Sequence, residues 1–202
     1  MTLAPAHLTL LADPRLAGMA PILSERLEAA CRKLTAENFG SLMDRPLERL
    51  LDDALVFLRA QVLIISMLDP AKEYLVAAYV CGAARKTKVG TRRQVYEGLR
   101  GLVFANEQTF CQNHFTQSPF FDPVVDADPP IPTNVLAAPL GIGCEVRGVI
   151  TIIKTKLAID APDPDDYEPA DVARIDLLAA TLGRLIEYRL IGMITGLNDA
   201  GH

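Results

Sequence analysis

None of the four cysteines, Cys31, Cys81, Cys111 and Cys144, is spaced as a CxxC pair. A zinc knuckle or dithiol redox motif is therefore not written into the chain. Positive charge is also in short supply: 20 Lys and Arg face 25 Asp and Glu, giving a formal charge of −5 and a pI near 5.2. A nucleic-acid footprint needs clustered Lys and Arg, so no nucleic-acid partner is expected. The densest basic stretch is Arg85, Lys86, Lys88, Arg92 and Arg93. It reads either as a solvated loop after a strand or as a site for an anionic ligand or partner. Long apolar runs are missing. Val62–Leu68, the most apolar stretch, is far short of the ~20 residues a membrane helix needs, and no membrane association is expected. Residues 1–20 lack a basic start and a small-residue cleavage site, so no signal peptide is expected. No Ser-His-Asp set assembles, since His7 and His202 stand at the chain ends. Internal repeats and low-complexity tracts are absent. A cytoplasmic protein with reduced thiols is the expectation.

What is present is enough apolar material for a core. Half of the 202 residues are hydrophobic, which suits one domain of roughly 150 residues plus extra helical segments. Leu16, Met19, Leu23, Leu27, Ala30 and Leu34 recur at helical spacing, predicting an amphipathic helix over 14–34. A second helix is predicted from Pro46, with Asp44 and Glu48 at its start, where the helix dipole favours negative charge. Its inner face would be Leu47, Leu50, Leu51, Ala54, Phe57 and Leu58. The pattern then turns β-branched: Val62–Leu68 and 74–81 read as a hairpin around Asp69-Pro70-Ala71-Lys72. Residues 85–98 are polar and poorly patterned, 98–108 reads as a short helix, and 109–114 alternates like a half-buried strand. Two further strands, 134–140 and 146–154, flank a turn at 141–143.

The last helix is predicted over 168–197, with Pro169 in its first turn and Asp171 favourably placed for the dipole. Ile175, Leu178, Leu182 and Leu185 form a stripe that can cover a sheet. Ile186, Leu190, Met193 and Leu197 form a second stripe that needs another partner. That partner would be the N-terminal helix of this chain or the same helix of a second chain. The layout is α+β: an antiparallel sheet covered on one face by helices, with long N- and C-terminal helices.

Several segments, in order, resemble one family. They are the helix and hairpin that open at Pro46, the glycine-containing GLRGLVFANEQ stretch (98–108), and the turn Ser118-Pro119-Phe120-Phe121-Asp122 followed by Asp126. The strand Asn134-Val135-Leu136-Ala137-Ala138-Pro139-Leu140 and the run Gly148-Val149-Ile150 complete the series. Over residues 46–188 the chain resembles a GAF domain, a small-molecule-sensing module. Residues 1–45 are then an N-terminal helical extension, and 189–202 extend the C-terminal helix into a tail. The resemblance implies a ligand pocket under the aromatic-acidic turn and a role in regulated binding.

The family's cyclic-nucleotide-binding members carry an Asn-Lys-Phe-Asp-Glu signature. The corresponding positions here are Thr155, Lys156, Tyr167, Asp171 and Val172, which keep the lysine, an aromatic and the aspartate. A cyclic nucleotide is thus one candidate ligand, and Lys156 with Asp171 would form an ion pair latching the final helix to the sheet. Phe104, Phe120 and Phe121 read either as walls for a planar ligand or as core. Asp122 and Asp126 either accept hydrogen bonds from a purine or amine or cap their own turn. Thr133 and Asn134 either donate to a ligand or hold a loop. A helix N-terminus near 118–122 would offer backbone N–H groups to an anion.

Cys111 and His114, three apart on a strand, point to opposite faces, so no metal or haem site is expected from them. Members that hold a bilin attach it through a cysteine commonly followed by histidine. No Cys-His pair occurs in this chain, and no covalent chromophore is expected. The leading expectation is a stand-alone sensor, homodimeric through its terminal helices, that signals through a partner protein. The alternatives are a thiol-dependent enzyme reducing free methionine sulfoxide, using Cys81, Cys111 or Cys144, and a ligand-free scaffold whose pocket is filled by Phe104 and Phe121.

Overall fold

The computed structural model describes residues 18–83, 89–121, 130–158 and 160–196. Helix α1 spans Ala20–Lys33, and α2 spans Arg45–Phe57. Asp44 caps α2 by accepting a hydrogen bond from the Leu47 amide at 3.1 Å, with Pro46 and Glu48 in the first turn. Strands β1 (Val62–Leu68), β2 (Tyr74–Gly82) and β3 (Arg92–Gln94) follow, then α3 (Gly98–Asn106) and β4 (Phe110–Gln112). After a 3-10 turn at Phe115–Gln117 come β5 (Ile131–Ile142), β6 (Glu145–Lys156) and the long α4 (Pro169–Thr195).

The strands form one six-stranded sheet in the order β3-β2-β1-β6-β5-β4, with every neighbour antiparallel. β5 and β6 lie inside it, and their middle stretches, 135–140 and 149–153, are covered on both faces and almost wholly apolar. Leu63, Ile65, Met67, Leu136, Ala138, Ile150 and Ile152 face α1, α2 and α4. Val62, Ile64, Val135, Ala137, Val149 and Ile153 face the other way, towards α3 and Phe115. The expectation of helices on one face is thus extended: the short α3 and the 3-10 turn cover part of the second face. The edge strand β3 falls within the segment read as unpatterned. Arg92 and Gln94 are exposed there, and three polar residues carry no alternation to detect.

The second stripe of α4 finds its partner within the chain. Ile186 and Leu190 are buried in the cluster that takes in Cys31, Leu34 and, at its margin, Leu27 and Ala30 of the α1 region. Met193 remains exposed, and Leu197 lies outside the described residues. Arg147 of β6 fixes the end of α1. Its guanidinium is 2% exposed, and Nη2 donates to the carbonyls of Arg32 and Leu34 at 2.8 and 2.9 Å. A charged donor thereby satisfies carbonyls left over at the helix C-terminus. At mid-length, α4 lies on the β5–β6 hairpin so closely that a Cβ added at Gly183 would collide with the Gly141 carbonyl oxygen. Asp44 also pairs with Arg189 of α4, tying the start of α2 to the same helix.

Candidate functional site

A cavity of about 70 Å³ lies on the sheet face turned away from α4. Its floor comes from adjacent strands: Ile64 of β1, Thr151 and Ile153 of β6, and Pro132 and Val135 of β5. Register makes Ile64 the direct neighbour of Thr151. Arg93 of β3 and the first turn of α3, with Glu97, Gly98 and Arg100, form one wall, and Phe115 and Phe120 close over it. No side chain caps α3, so its N-terminal amides turn partial positive charge towards this space. Arg100 Nη1 donates to Ser66 Oγ at 2.9 Å, which holds the guanidinium over the floor. Thr151 is 3% exposed, and its hydroxyl has no hydrogen-bond partner. An unpaired buried hydroxyl costs about 1–3 kcal/mol.

The expected site residues separate on this geometry. Phe120 lines the cavity. Phe121 is half-buried and meets Phe115 edge-on, with centroids 6.0 Å apart. Phe104 packs half-buried on the same cluster without lining the cavity, which is the core reading. Asp122 and Asp126 lie outside the described residues. Thr133 is committed to the sheet, donating to the Lys154 carbonyl at 2.9 Å. Asn134 does not serve a ligand from the cavity floor: it is fully buried and bonded to loops instead. Its Oδ1 accepts from the His114 amide at 3.0 Å, and its Nδ2 donates to the Asp165 carbonyl at 3.1 Å. Among the described residues 118–121 no helix starts; the 3-10 turn ends there, with Ser118 Oγ accepting from the Phe120 amide at 3.2 Å.

The expected Lys156–Asp171 latch is not formed. Lys156 pairs with Asp163 at 2.8 Å, while Asp171 accepts from the Glu168 amide at 3.0 Å and from Arg174 at 2.6 Å. Lys154, two residues earlier on the same face of β6, holds the loop before α4. It is 1% exposed, donates to the Asp165 carbonyl at 2.7 Å, and places its ammonium 4.3 Å from the Tyr167 ring centre. Burial and the nearby Arg59 lower the Lys154 pKa, against the opposing pull of Asp171, Asp165 and Asp166. Burial tends to raise the Asp171 pKa, but the Glu168 amide, Arg174 and Lys154 outweigh it and hold the carboxyl below the usual range. Desolvation, with Asp171 and Cys111 nearby, pushes the Tyr167 phenol upward, and its hydroxyl is unpartnered. The Tyr167 backbone is gripped by Asn113, whose Nδ2 donates to the Tyr167 carbonyl at 3.1 Å and whose Oδ1 accepts from the Tyr167 amide at 2.9 Å.

The basic stretch also divides. Arg92 pairs with Asp69 at 3.1 Å and stacks over Tyr74, Arg93 borders the cavity, and Arg85, Lys86 and Lys88 lie outside the described residues. No cysteine lines the cavity: Cys81 and Cys111 belong to the cluster on the opposite face, Cys31 is buried near α4, and Cys144 is exposed. Among the described residues there is no group of three or more metal-ligating side chains, and no helix is long and apolar enough to cross a membrane. A second, apolar concavity of about 400 Å³ runs between α2 and α4, where Phe57 and Leu177 are 64% and 69% exposed.

Sequence reading missed Thr151, Arg100 and Ser66. One signal was available: Thr151 is the single polar residue in the run Val149-Ile150-Thr151-Ile152-Ile153, and a polar side chain in a doubly buried strand calls for a reason.

No family model and no curated protein matches the sequence. Solved structures do match, and they define the fold as that of a GAF domain. The chain is similar to the GAF domain of a phosphoenolpyruvate-protein phosphotransferase (ptsP) from Coxiella burnetii, at 17% identity over 90% of this chain and 98% of that one, with a TM-score of 0.59. The corresponding domain from Acinetobacter matches at 18% identity over 88% of this chain and 97% of that one, with a TM-score of 0.57. A free methionine-R-sulfoxide reductase from Neisseria meningitidis, in complex with its substrate, matches at 18% identity over 90% and 95%, with a TM-score of 0.52. At these identities the likeness is one of fold.

Proposed function

We propose that the protein is a sensor that binds a small organic molecule in the cavity over β1, β5 and β6 and signals through a partner protein. The observation that carries this reading is a cavity on the sheet face away from α4, walled by Arg93, Arg100 and the uncapped start of α3. The absence of any cysteine from the lining weighs against thiol chemistry there, and a void under Phe115 and Phe120 weighs against a pocket filled by the chain's own phenylalanines. Cavity size bears on the ligand as well. A closed cavity of about 150 Å³ admits benzene, whereas this one, of about 70 Å³, is partly open to solvent, so a ligand as large as a cyclic nucleotide would extend beyond it. Free thiols at all four cysteines suit the reducing cytoplasm.

The test is a thermal-shift screen of the full chain against short organic acids, amino acids, purines and cyclic mono- and dinucleotides. A ligand at one hundred times its Kd adds about 2.7 kcal/mol, which for a chain of this size is a shift of roughly 5–10 °C. Absence of any saturable shift would end the sensor reading.

The assembly we propose is a homodimer using α4. Leu177 of α4 and Phe57 of the adjoining α2 flank the apolar groove, and Met193 is exposed further along the helix. Light scattering at micromolar concentration separates a monomer of 22.0 kDa from twice that mass. Leu177→Glu should dissociate the dimer, and a wild-type monomer refutes it.

A further inference from the structure

Two thiols, one at the end of α1 and one in the β5–β6 turn, carry an inference that does not depend on the sensor reading. We propose that Cys31 and Cys144 are a redox pair, which a low-molecular-weight disulfide converts into a reversible bond stapling α1 to the hairpin.

The fold brings the two together from more than a hundred residues apart. Cys31 lies in the last turn of α1 and is 3% exposed. Cys144 is exposed, in the two-residue turn Gly143-Cys144 that links β5 to β6. Gly143 has a φ of +69°, which glycine at the first position of so short a hairpin turn adopts without strain. The turn presses on α1: a Cβ added at Gly143 would stand 3.2 Å from Cys31 Cβ and 3.3 Å from its Sγ. A disulfide needs its two Cβ atoms about 3.5–4.5 Å apart. The backbone one residue before Cys144 is therefore already as close to Cys31 as the bond requires. A cavity of about 30 Å³ borders both side chains, leaving room for one sulfur to swing towards the other. Both flanks are anchored. Glu187 of α4 accepts from the Gly143 amide at 2.8 Å, and Arg147 donates to the carbonyls of Arg32 and Leu34, just after Cys31. Cys81 and Cys111 have no comparable approach to each other. They stand on β2 and β4 with three strands between them, roughly 19 Å at ~4.8 Å per strand.

Exposure sets the order of events. The Cys144 thiolate meets the oxidant RSSR first and attacks one of its sulfurs. A Cys144–SR disulfide forms as the RS–SR bond breaks and RS⁻ departs. The Cys31 thiolate then attacks the Cys144 sulfur and expels the second RS⁻. Two protein thiols are oxidised, one small disulfide is reduced, and the two cysteine protons end on two RSH molecules. Burial and Glu187 raise the Cys31 pKa against the pull of Arg147. Cys31 is thus guarded from reagents in solution and reacts with a sulfur delivered beside it.

The experiment treats the reduced full chain, without denaturant, with glutathione disulfide. Thiol titre, intact mass and a peptide map are the readouts. The protein should lose two of its four thiols, retain no glutathione, and yield a linked Cys31–Cys144 peptide. Dithiothreitol should reverse the change. Cys31→Ala should stop at a glutathione adduct on Cys144, and Cys144→Ser should keep its remaining thiols over the same time. The linked protein should unfold at a urea midpoint roughly 1–2 M higher, as closure of a long loop gives. A lasting glutathione adduct on the unmutated protein, a link between any other two cysteines, or survival of all four thiols overturns the proposal. So does a Cys144→Ser protein that loses thiols as fast as the unmutated one, or a linked protein whose midpoint has not moved. The peptide map of the unmutated chain decides the pairing even where a variant fails to fold. Each of these failures leaves the sensor reading standing, because the ligand screen is run on the reduced protein.

Discussion

Arg147→Met is the substitution whose cost the structure states most fully. Methionine keeps the apolar stem that packs against the core and removes only the guanidinium. Two carbonyls lose their donor. The Leu34 carbonyl is buried, and leaving such an acceptor unpaired costs about 1–3 kcal/mol. The Arg32 carbonyl is part-exposed and can turn to water, so its loss costs roughly 0.5–1 kcal/mol. Against these, one buried charge no longer has to be desolvated, and the unpartnered Nε of Arg147 disappears with it. The net expectation is a destabilisation of about 2 kcal/mol. Urea unfolding should show it as a midpoint about 1 M lower, taking a slope of roughly 2 kcal/mol per molar. The slope itself should not change. Hydrogen exchange should quicken first at the end of α1 and in the turn after it, because the two bonds end there. Arg147→Ala adds a cavity and should cost about 2 kcal/mol more. An Arg147→Met protein with an unchanged midpoint, or with exchange quickened first at sites away from the end of α1 and the turn after it, would refute the account of Arg147 as the anchor of that helix.

Two further outcomes follow from the loop before α4 and from the buried carboxylates. Tyr167→Phe removes an unpartnered phenol hydroxyl while keeping the ring beneath Lys154, so thermal unfolding should show equal or slightly greater stability, whereas Tyr167→Leu should lose about 1–2 kcal/mol of cation–π contact and packing. For the pH dependence, burial tends to raise the pKa values of Asp69 and Asp171. The amides of Tyr74 and Glu73 with Arg92, and the amide of Glu168 with Arg174 and Lys154, outweigh it, so both fold with lowered values. A lowered folded pKa means that the unfolded chain binds the proton first. The stability these groups confer is therefore complete above an unfolded value of roughly 4 and drains away as pH falls through the folded values. Urea midpoints should be level from pH 5 to 7 and fall below about pH 4, and Asp69→Asn with Asp171→Asn should flatten the fall; an unaltered slope in the double variant would exclude these two groups as its source.

Much of the fold could be read from local chemistry. Asp44 with Pro46 announces α2, and the β-branched Val62–Leu68 announces β1, because each of these signals lies within one element. β3 could not be read, because Arg92, Arg93 and Gln94 become a strand only through pairing with β2. The site was less legible for the same reason. Thr151, Arg100 and Ser66 come from three elements and meet only after the sheet has formed. The lysine was misplaced by one alternation of β6: Lys154 and Lys156 share a face, and only burial distinguishes the one that reaches the loop. Asn134 resembled a ligand donor because its strand borders the cavity, but the parity of β5 turns its side chain to the opposite side.

The tripeptide Asn113-His114-Phe115 joins two parts of the molecule that are remote in sequence. Phe115 roofs the cavity, while Asn113 and the His114 amide are bonded, directly and through Asn134, to the segment that becomes α4. Displacing the roof must either break those bonds or drag the root of α4 along. The helix is held in the core from Ile175 to Leu190 and lies close on the hairpin at Gly183, so Pro169 and Thr195 stand roughly 21 Å and roughly 18 Å from that contact, at 1.5 Å per residue. A change at the roof is thereby coupled by hydrogen bonds to the root of a helix that spans the whole core.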